Sequence, residues 1–113
     1  PDFEDLLRNE ILVDCYDPDE RVAAWFCYLG DELQFPFRIR CVKPGRRCFL
    51  KQGEETTAVE LIENRSAHDA ELLVEWVDRR FILPLACIEP VDADEGTAQA
   101  IAVWQYWHEQ GWE

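Results

Sequence analysis

The chain has 113 residues, 48% hydrophobic and 12% aromatic, with 24 carboxylates against 11 Lys and Arg, a formal net charge of -13. This length and apolar content fit a single domain, residues 1–113, with a buried core, and exclude a disordered acidic tail. The charge also argues against nucleic acid and anionic membranes as partners, because phosphate binding needs clustered cations.

From the start of the chain, residues 2–8 form a short acidic helix with Phe3, Leu6 and Leu7 on one side. Asp17 then reads as an N-cap, Pro18 as the first helical residue and Glu20 as the third, a capping box. Val22, Trp25, Phe26 and Leu29 follow at i, i+3, i+4 and i+7, one face of a helix that Gly30 should end. Beyond Phe35-Pro36-Phe37 the period changes to two. Phe37, Ile39 and Cys41 alternate with Arg38 and Arg40. Pro44-Gly45 marks a turn, and Cys48 to Leu50 reads as a short second strand. Thr57, Val59 and Leu61 alternate within a strand over 56–63, residues 64–70 read as a loop, and Leu72, Val74 and Trp76 line another strand. Asp78-Arg79-Arg80 is the predicted turn into a strand over 81–85, where Pro84 marks an edge or an early end. The last helix starts at Asp94 as N-cap, carries Ala100, Val103, Trp104 and Trp107 as its stripe, and ends at Gly111. The expected fold is α+β: a small, strongly curved antiparallel sheet or barrel, with an N-terminal helix pair and a C-terminal helix.

The charge is unevenly spread. Residues 1–20 hold eight acids against Arg8, whereas residues 38–51 hold six bases (Arg38, Arg40, Lys43, Arg46, Arg47, Lys51) and no acid. The basic run is expected to face the protein's own acids. Five cysteines stand at 15, 27, 41, 48 and 87, an odd number with no C-x₂₋₄-C pair, so a zinc site is not indicated. Cys15 and Cys27, beside apolar runs, are expected to act as small buried hydrophobes. Free thiols without a secretory signal, lipidation motif or long apolar run point to a reducing cytoplasm.

Two acidic segments could carry chemistry. In Val13-Asp14-Cys15-Tyr16-Asp17-Pro18-Asp19-Glu20, four carboxylates lie within seven residues. Capping needs one or two, and the surplus acids repel one another unless a cation sits among them. Ca²⁺, which takes six to eight oxygen ligands, is the simplest such cation. The second segment is Asp92-Ala93-Asp94-Glu95-Gly96-Thr97. Its Asp-x-Asp start resembles an EF-hand loop, but Gly stands fifth rather than sixth and Val103 occupies the twelfth position. The EF-hand is excluded in both segments, so any Ca²⁺ site draws oxygens from more than one. Asp31-Glu32 and Glu75/Asp78 are possible contributors. Catalysis has little support: His68 and His108 lie in no nucleophile motif, and no phosphate-cradling Gly loop is present. The expectation is a non-enzyme.

Three blocks together carry a resemblance. The first is Val-Asp-Cys-Tyr-Asp-x-Asp-Glu-Arg, with Trp25-Phe26-Cys27-Tyr28-Leu29 and Phe35-Pro36-Phe37 after it. The second joins Trp76, Arg80 and Leu83-Pro84-Leu85. The third runs from Ala93-Asp94-Glu95-Gly96-Thr97 through Ala100-Ile101 to Trp104-Gln105-Tyr106-Trp107 and Gly111. In this order, over roughly residues 11–112, they resemble the CcbP-type calcium-binding proteins of cyanobacteria and some other bacteria. The resemblance implies a cytoplasmic, acidic protein that binds Ca²⁺ through surface carboxylates outside any EF-hand, as a calcium buffer or calcium-responsive regulator. In cyanobacteria such proteins are linked to heterocyst differentiation. The carboxylates matching the motifs are Asp14, Asp17, Asp19 and Glu20 in the first block and Asp94 and Glu95 in the third. Asp92 and Asp31 are added on chemical grounds. The basic content from Arg38 to Lys51 is the departure from the family pattern. A monomer is expected. The alternative reading is an acidic module that docks a basic protein partner and holds no specific metal.

Overall fold

The computed structural model describes residues 3–12, 17–43, 48, 50–64 and 69–110. Helix α1 (Phe3–Leu6) runs into a π-helical turn at Leu7–Ile11, and α2 spans Pro18–Glu32. Strands β1 (Phe37–Cys41), β2 (Glu55–Asn64), β3 (Asp69–Trp76) and β4 (Arg79–Pro84) follow. A 3₁₀ turn at Leu85–Cys87, strand β5 (Ile88–Val91) and helix α3 (Glu95–Glu109) complete the fold. All strand pairs are antiparallel, in the order β4-β3-β2-β1-β5. The α+β class is as expected, but the sheet stays open: β4 and β5 are its two edges and no barrel closes.

Alternation sorts the sheet into two faces. Phe37, Ile39 and Cys41 of β1, Leu72 and Val74 of β3, Leu83 of β4 and Ile88 of β5 are buried against the helices. Trp25 and Leu29 of α2 and Ala100, Ile101, Val103, Trp104 and Trp107 of α3 complete this core. The outer face carries Arg38 and Arg40 and their partners. Arg38 pairs with Glu55 at 3.5 Å, and Arg40 bridges Glu55 at 3.4 Å and Glu89 at 2.8 Å. Lys43 reaches Glu109 at 3.4 Å. These cations do face the protein's own acids; Arg46 and Arg47 lie outside the described residues.

Several boundaries differ from the sequence reading. Helix α2 continues through Gly30 to Glu32, because Leu33 is buried and its N–H bonds to Leu29 O at 2.9 Å, adding a final turn. Cys27 is exposed on α2 rather than buried. The segment Cys48 to Leu50 forms no strand among the described residues, only an isolated bridge at Cys48. In β2 the register slips between Ala58 and Glu60. Val59 becomes the extra residue of a bulge, and the inward set is Thr56, Ala58 and then Leu61 rather than an unbroken alternation from Thr57. The β3–β4 turn is Val77-Asp78, one residue earlier than expected, since Trp76 already pairs with Arg79. β4 is indeed an edge strand that ends at Pro84. Strand β5 and the 3₁₀ turn before it are additions; Gln105 of α3 ties them down by donating to Leu85 O (3.0 Å) and Ile88 O (2.5 Å). The predicted stop at Gly111 lies outside the described residues.

Candidate metal centre

The two helices that carry the acidic segments run antiparallel. Trp25 of α2 meets Trp107 of α3, ring centroids 5.3 Å apart, near one end of the pair. At the other end the last residue of α2 meets the first turn of α3: the Thr97 hydroxyl lies 3.3 Å from Glu32 O. This arrangement separates the predicted carboxylates. Asp17, Asp19 and Glu20 stand at the N-terminus of α2, fifteen helical residues from Glu32, which at 1.5 Å per residue is about 22 Å. The two acidic segments therefore cannot share an ion.

At the N-terminus of α2 the acids already have work. Asp17 caps the helix, accepting the Glu20 N–H at 2.8 Å. Asp19 and Glu20 sit in the first turn, where the helix dipole favours negative charge. Asp14 lies outside the described residues. The C-terminal end of α2 is the opposite case. Asp31 and Glu32 close the helix with no basic residue in its last turn, so two carboxylates sit at the negative end of the dipole. A cation there would relieve both the charge repulsion and the unfavourable dipole.

Opposite this end, Asp92 takes φ +56, a left-handed conformation that Asp tolerates, and turns the chain from β5 into α3. Asp94 is the N-cap residue and Glu95 opens the helix. Thr97 is fully buried and holds the corner together. Its hydroxyl accepts the Gln34 N–H at 3.0 Å, and its single proton goes to Asp94 Oδ1 at 2.5 Å in preference to the more distant Glu32 O. The Thr97 hydroxyl, and after it the nearby backbone N–H groups of Thr97 and Gly96, hold the Asp94 carboxyl below its ordinary range, outweighing partial desolvation.

Gly96 makes the approach of two carboxylates possible. A β-carbon on it would sit 3.1 Å from Glu32 Oε2 and 3.3 Å from Asp94 Oδ2. Both oxygens crowd the space a side chain would fill, one from each helix. Burial, and then the charges of Glu32 and Glu10, raise the pKa of Tyr28, which places Glu10 of the π-helical turn within electrostatic reach of the same phenol as Glu32. Asp31, Asp92, Asp94 and Glu95 are all exposed around this corner. The convergence of Glu32 with Asp94 is invisible in the sequence because the two are distant along the chain. The available signal was a helix ending in two acids with no compensating base.

The donor set at the corner is all oxygen, as a hard cation requires. Among the described residues, no three or more His, Cys, Asp or Glu side chains are grouped to hold an ion. Two carboxylates would therefore be supplemented by water and backbone carbonyls. The last carbonyls of a helix lack intrahelical partners, and Glu32 O keeps a lone pair beyond its contact with Thr97.

A family model described as calcium binding, that of the CcbP type, matches residues 5–108. The chain belongs to the CcbP calcium-binding family. The crystal structure of Anabaena CcbP is similar, with a TM-score of 0.84 and 30% identity over 98% of this chain and 92% of that one. A calcium binding protein in its calcium-binding form is similar with a TM-score of 0.77 and 31% identity, over 98% and 92% of the two chains. No curated protein matches. The open sheet with three helices is the fold shared with these similar structures. No helix among the described residues is long and apolar enough to cross a membrane.

Proposed function

We propose that this protein binds Ca²⁺ where the C-terminal end of α2 meets the N-terminal end of α3. Glu32 and Asp94 supply the first two carboxylates, and Asp31, Asp92 and Glu95 are their near neighbours along the chain. The observation that carries this reading is the crowding of Glu32 Oε2 and Asp94 Oδ2 over Gly96. Membership of a calcium-binding family supports the choice of ion. Asp17, Asp19 and Glu20, with Asp14 beside them in sequence, form a second and weaker candidate, since the α2 dipole already satisfies them. Bound Ca²⁺ would screen the two carboxylates and clamp the helix pair. The holo protein gains stability as RT ln(1 + [L]/Kd). The affinity is set by how many charged ligands join these two carboxylates and by how rigidly the corner holds them. Reversible binding of this kind would serve a cytoplasmic, monomeric buffer or calcium-responsive regulator rather than an enzyme, a role that in a cyanobacterial host would extend to heterocyst differentiation.

Calorimetric titration of chelator-treated protein tests the reading, with Mg²⁺ as control and Gly96→Ala as the variant. Saturable heat for Ca²⁺ and little for Mg²⁺ is expected, because Mg²⁺ demands tighter octahedral geometry and holds its waters. In Gly96→Ala the added methyl pushes two mobile carboxylate ends aside. The apo protein should keep its stability, since Ala is favoured over Gly within a helix by up to about 1 kcal/mol. Calcium affinity should fall about tenfold. Equal weak heat from both ions would leave an acidic interaction module and remove the metal site.

A further inference from the structure

The strongest feature outside the calcium corner is a buried pair of thiols. Cys41 ends β1 and Cys48 lies in the connection to β2, and their sulfurs stand 3.3 Å apart. Both lie 3.7 Å from Leu50 O, beneath a connection folded back on itself by Cys41 N–H to Glu54 O and Gly53 N–H to Cys41 O, each 2.9 Å. Two sulfurs already in contact need only a small approach to bond, and neither is required by the oxygen-only chemistry of the calcium corner. We propose that Cys41 and Cys48 are a redox-reactive pair that forms a reversible disulfide by exchange with a small-molecule disulfide such as oxidised glutathione.

The two cysteines differ in a way that sets the order of events. Cys48 is 7% exposed and Cys41 fully buried. Burial first, then the hydrogen bond and charge of Cys48 and the charge of Cys87, push the Cys41 thiol up to about 11. Cys48 is therefore the entry sulfur. Its thiolate attacks oxidised glutathione, forming a mixed disulfide and releasing one glutathione thiolate. Cys41 then gives up its proton, attacks the Cys48 sulfur and expels the second glutathione thiolate. Two protein thiols lose two electrons to one glutathione disulfide, and the two protons end on two glutathione thiols. The bond would close an eight-residue ring at the start of the β1–β2 connection, constraining the unfolded chain. Cys87 beside Cys41 is the competing partner that the experiment must separate.

The test equilibrates the intact chain with reduced and oxidised glutathione, alkylates the remaining thiols and maps linkages by peptide mass spectrometry. The expected product is a Cys41–Cys48 linkage, two hydrogens lighter, reversed by dithiothreitol, with Tm raised by about 5–10 °C. Cys48→Ser should lose both the linkage and the Tm gain, while Cys27→Ser should keep them. If Cys41 and Cys48 are both alkylated at a poise where the urea-unfolded chain does link them, the proposal fails. A linkage from Cys41 to Cys87 instead of Cys48 overturns it equally, and both readings need only the unmodified chain.

Discussion

At the scale of single residues, Thr97 ties the α2–α3 corner together. Its hydroxyl accepts Gln34 N–H from the segment after α2, donates to Asp94 and lies against the Glu32 carbonyl, so one buried oxygen joins two helices and orients one carboxylate. Replacing it by Val keeps the shape and removes the oxygen. The Gln34 N–H then loses its acceptor, a loss of about 1–3 kcal/mol. The Asp94 carboxyl also loses the main influence that depresses it. A carboxyl depressed on folding contributes stability above its unfolded pKa, and that contribution disappears as pH falls through the folded value. In the parent protein the Asp94 contribution should thus persist to a pH below the ordinary Asp range. In Thr97→Val it should vanish at higher pH. Urea midpoints across acidic pH and an NMR titration of the Asp94 carboxyl carbon check both effects; unchanged titration in the variant would show that Thr97 does not set the charge at the corner. The sequence made Asp94 and Glu95 visible as helix-start acids. It hid Thr97, because a Thr in a first turn carries no mark of the distant residues it bonds.

At the scale of elements, the helices and the β3–β4 pair were legible because their patterns are local. The Asp17 N-cap and the stripe of α3 appear in the structure as read. The end of α2 was misplaced because Leu33, a buried tertiary anchor, outweighs the helix-breaking tendency of Gly30. Strand β5 was missed because Pro90 stands inside four residues, and only its place at the sheet edge makes proline tolerable there. The β3–β4 turn was displaced by one residue for a similar reason. Val77 takes φ +57 and is 85% exposed, a β-branched residue in a position that two-residue hairpins usually give to Gly. Nothing is packed on its side chain that would be lost. Val77→Gly should therefore stabilise the protein by about 1 kcal/mol through relief of backbone strain. Denaturant unfolding measures this, and a destabilised variant would mean that the side chain has a role the fold does not explain.

At the scale of the whole molecule, the excess of 24 acids over 11 bases is divided by the fold into groups with different fates. On the outer face of the sheet, Glu55 and Glu89 neutralise Arg38 and Arg40. At the start of α2, Asp17, Asp19 and Glu20 serve the helix. At the α2–α3 corner Glu32 and Asp94 converge over Gly96, with no ion pair to either of them among the described residues. The composition suggested that a cation would help; the antiparallel pairing of α2 with α3 is what motivates the corner as the proposed location. Amide chemical-shift mapping during a Ca²⁺ titration in ~0.1–0.15 M salt, which screens exposed charges beyond about 10 Å, reads that location directly. Calcium binding at the α2–α3 corner predicts saturable shifts concentrated at residues 31–34 and 92–97, with much smaller ones at 17–20. Shifts confined to 17–20, or spread evenly over the acidic surface and reproduced by NaCl, would contradict it.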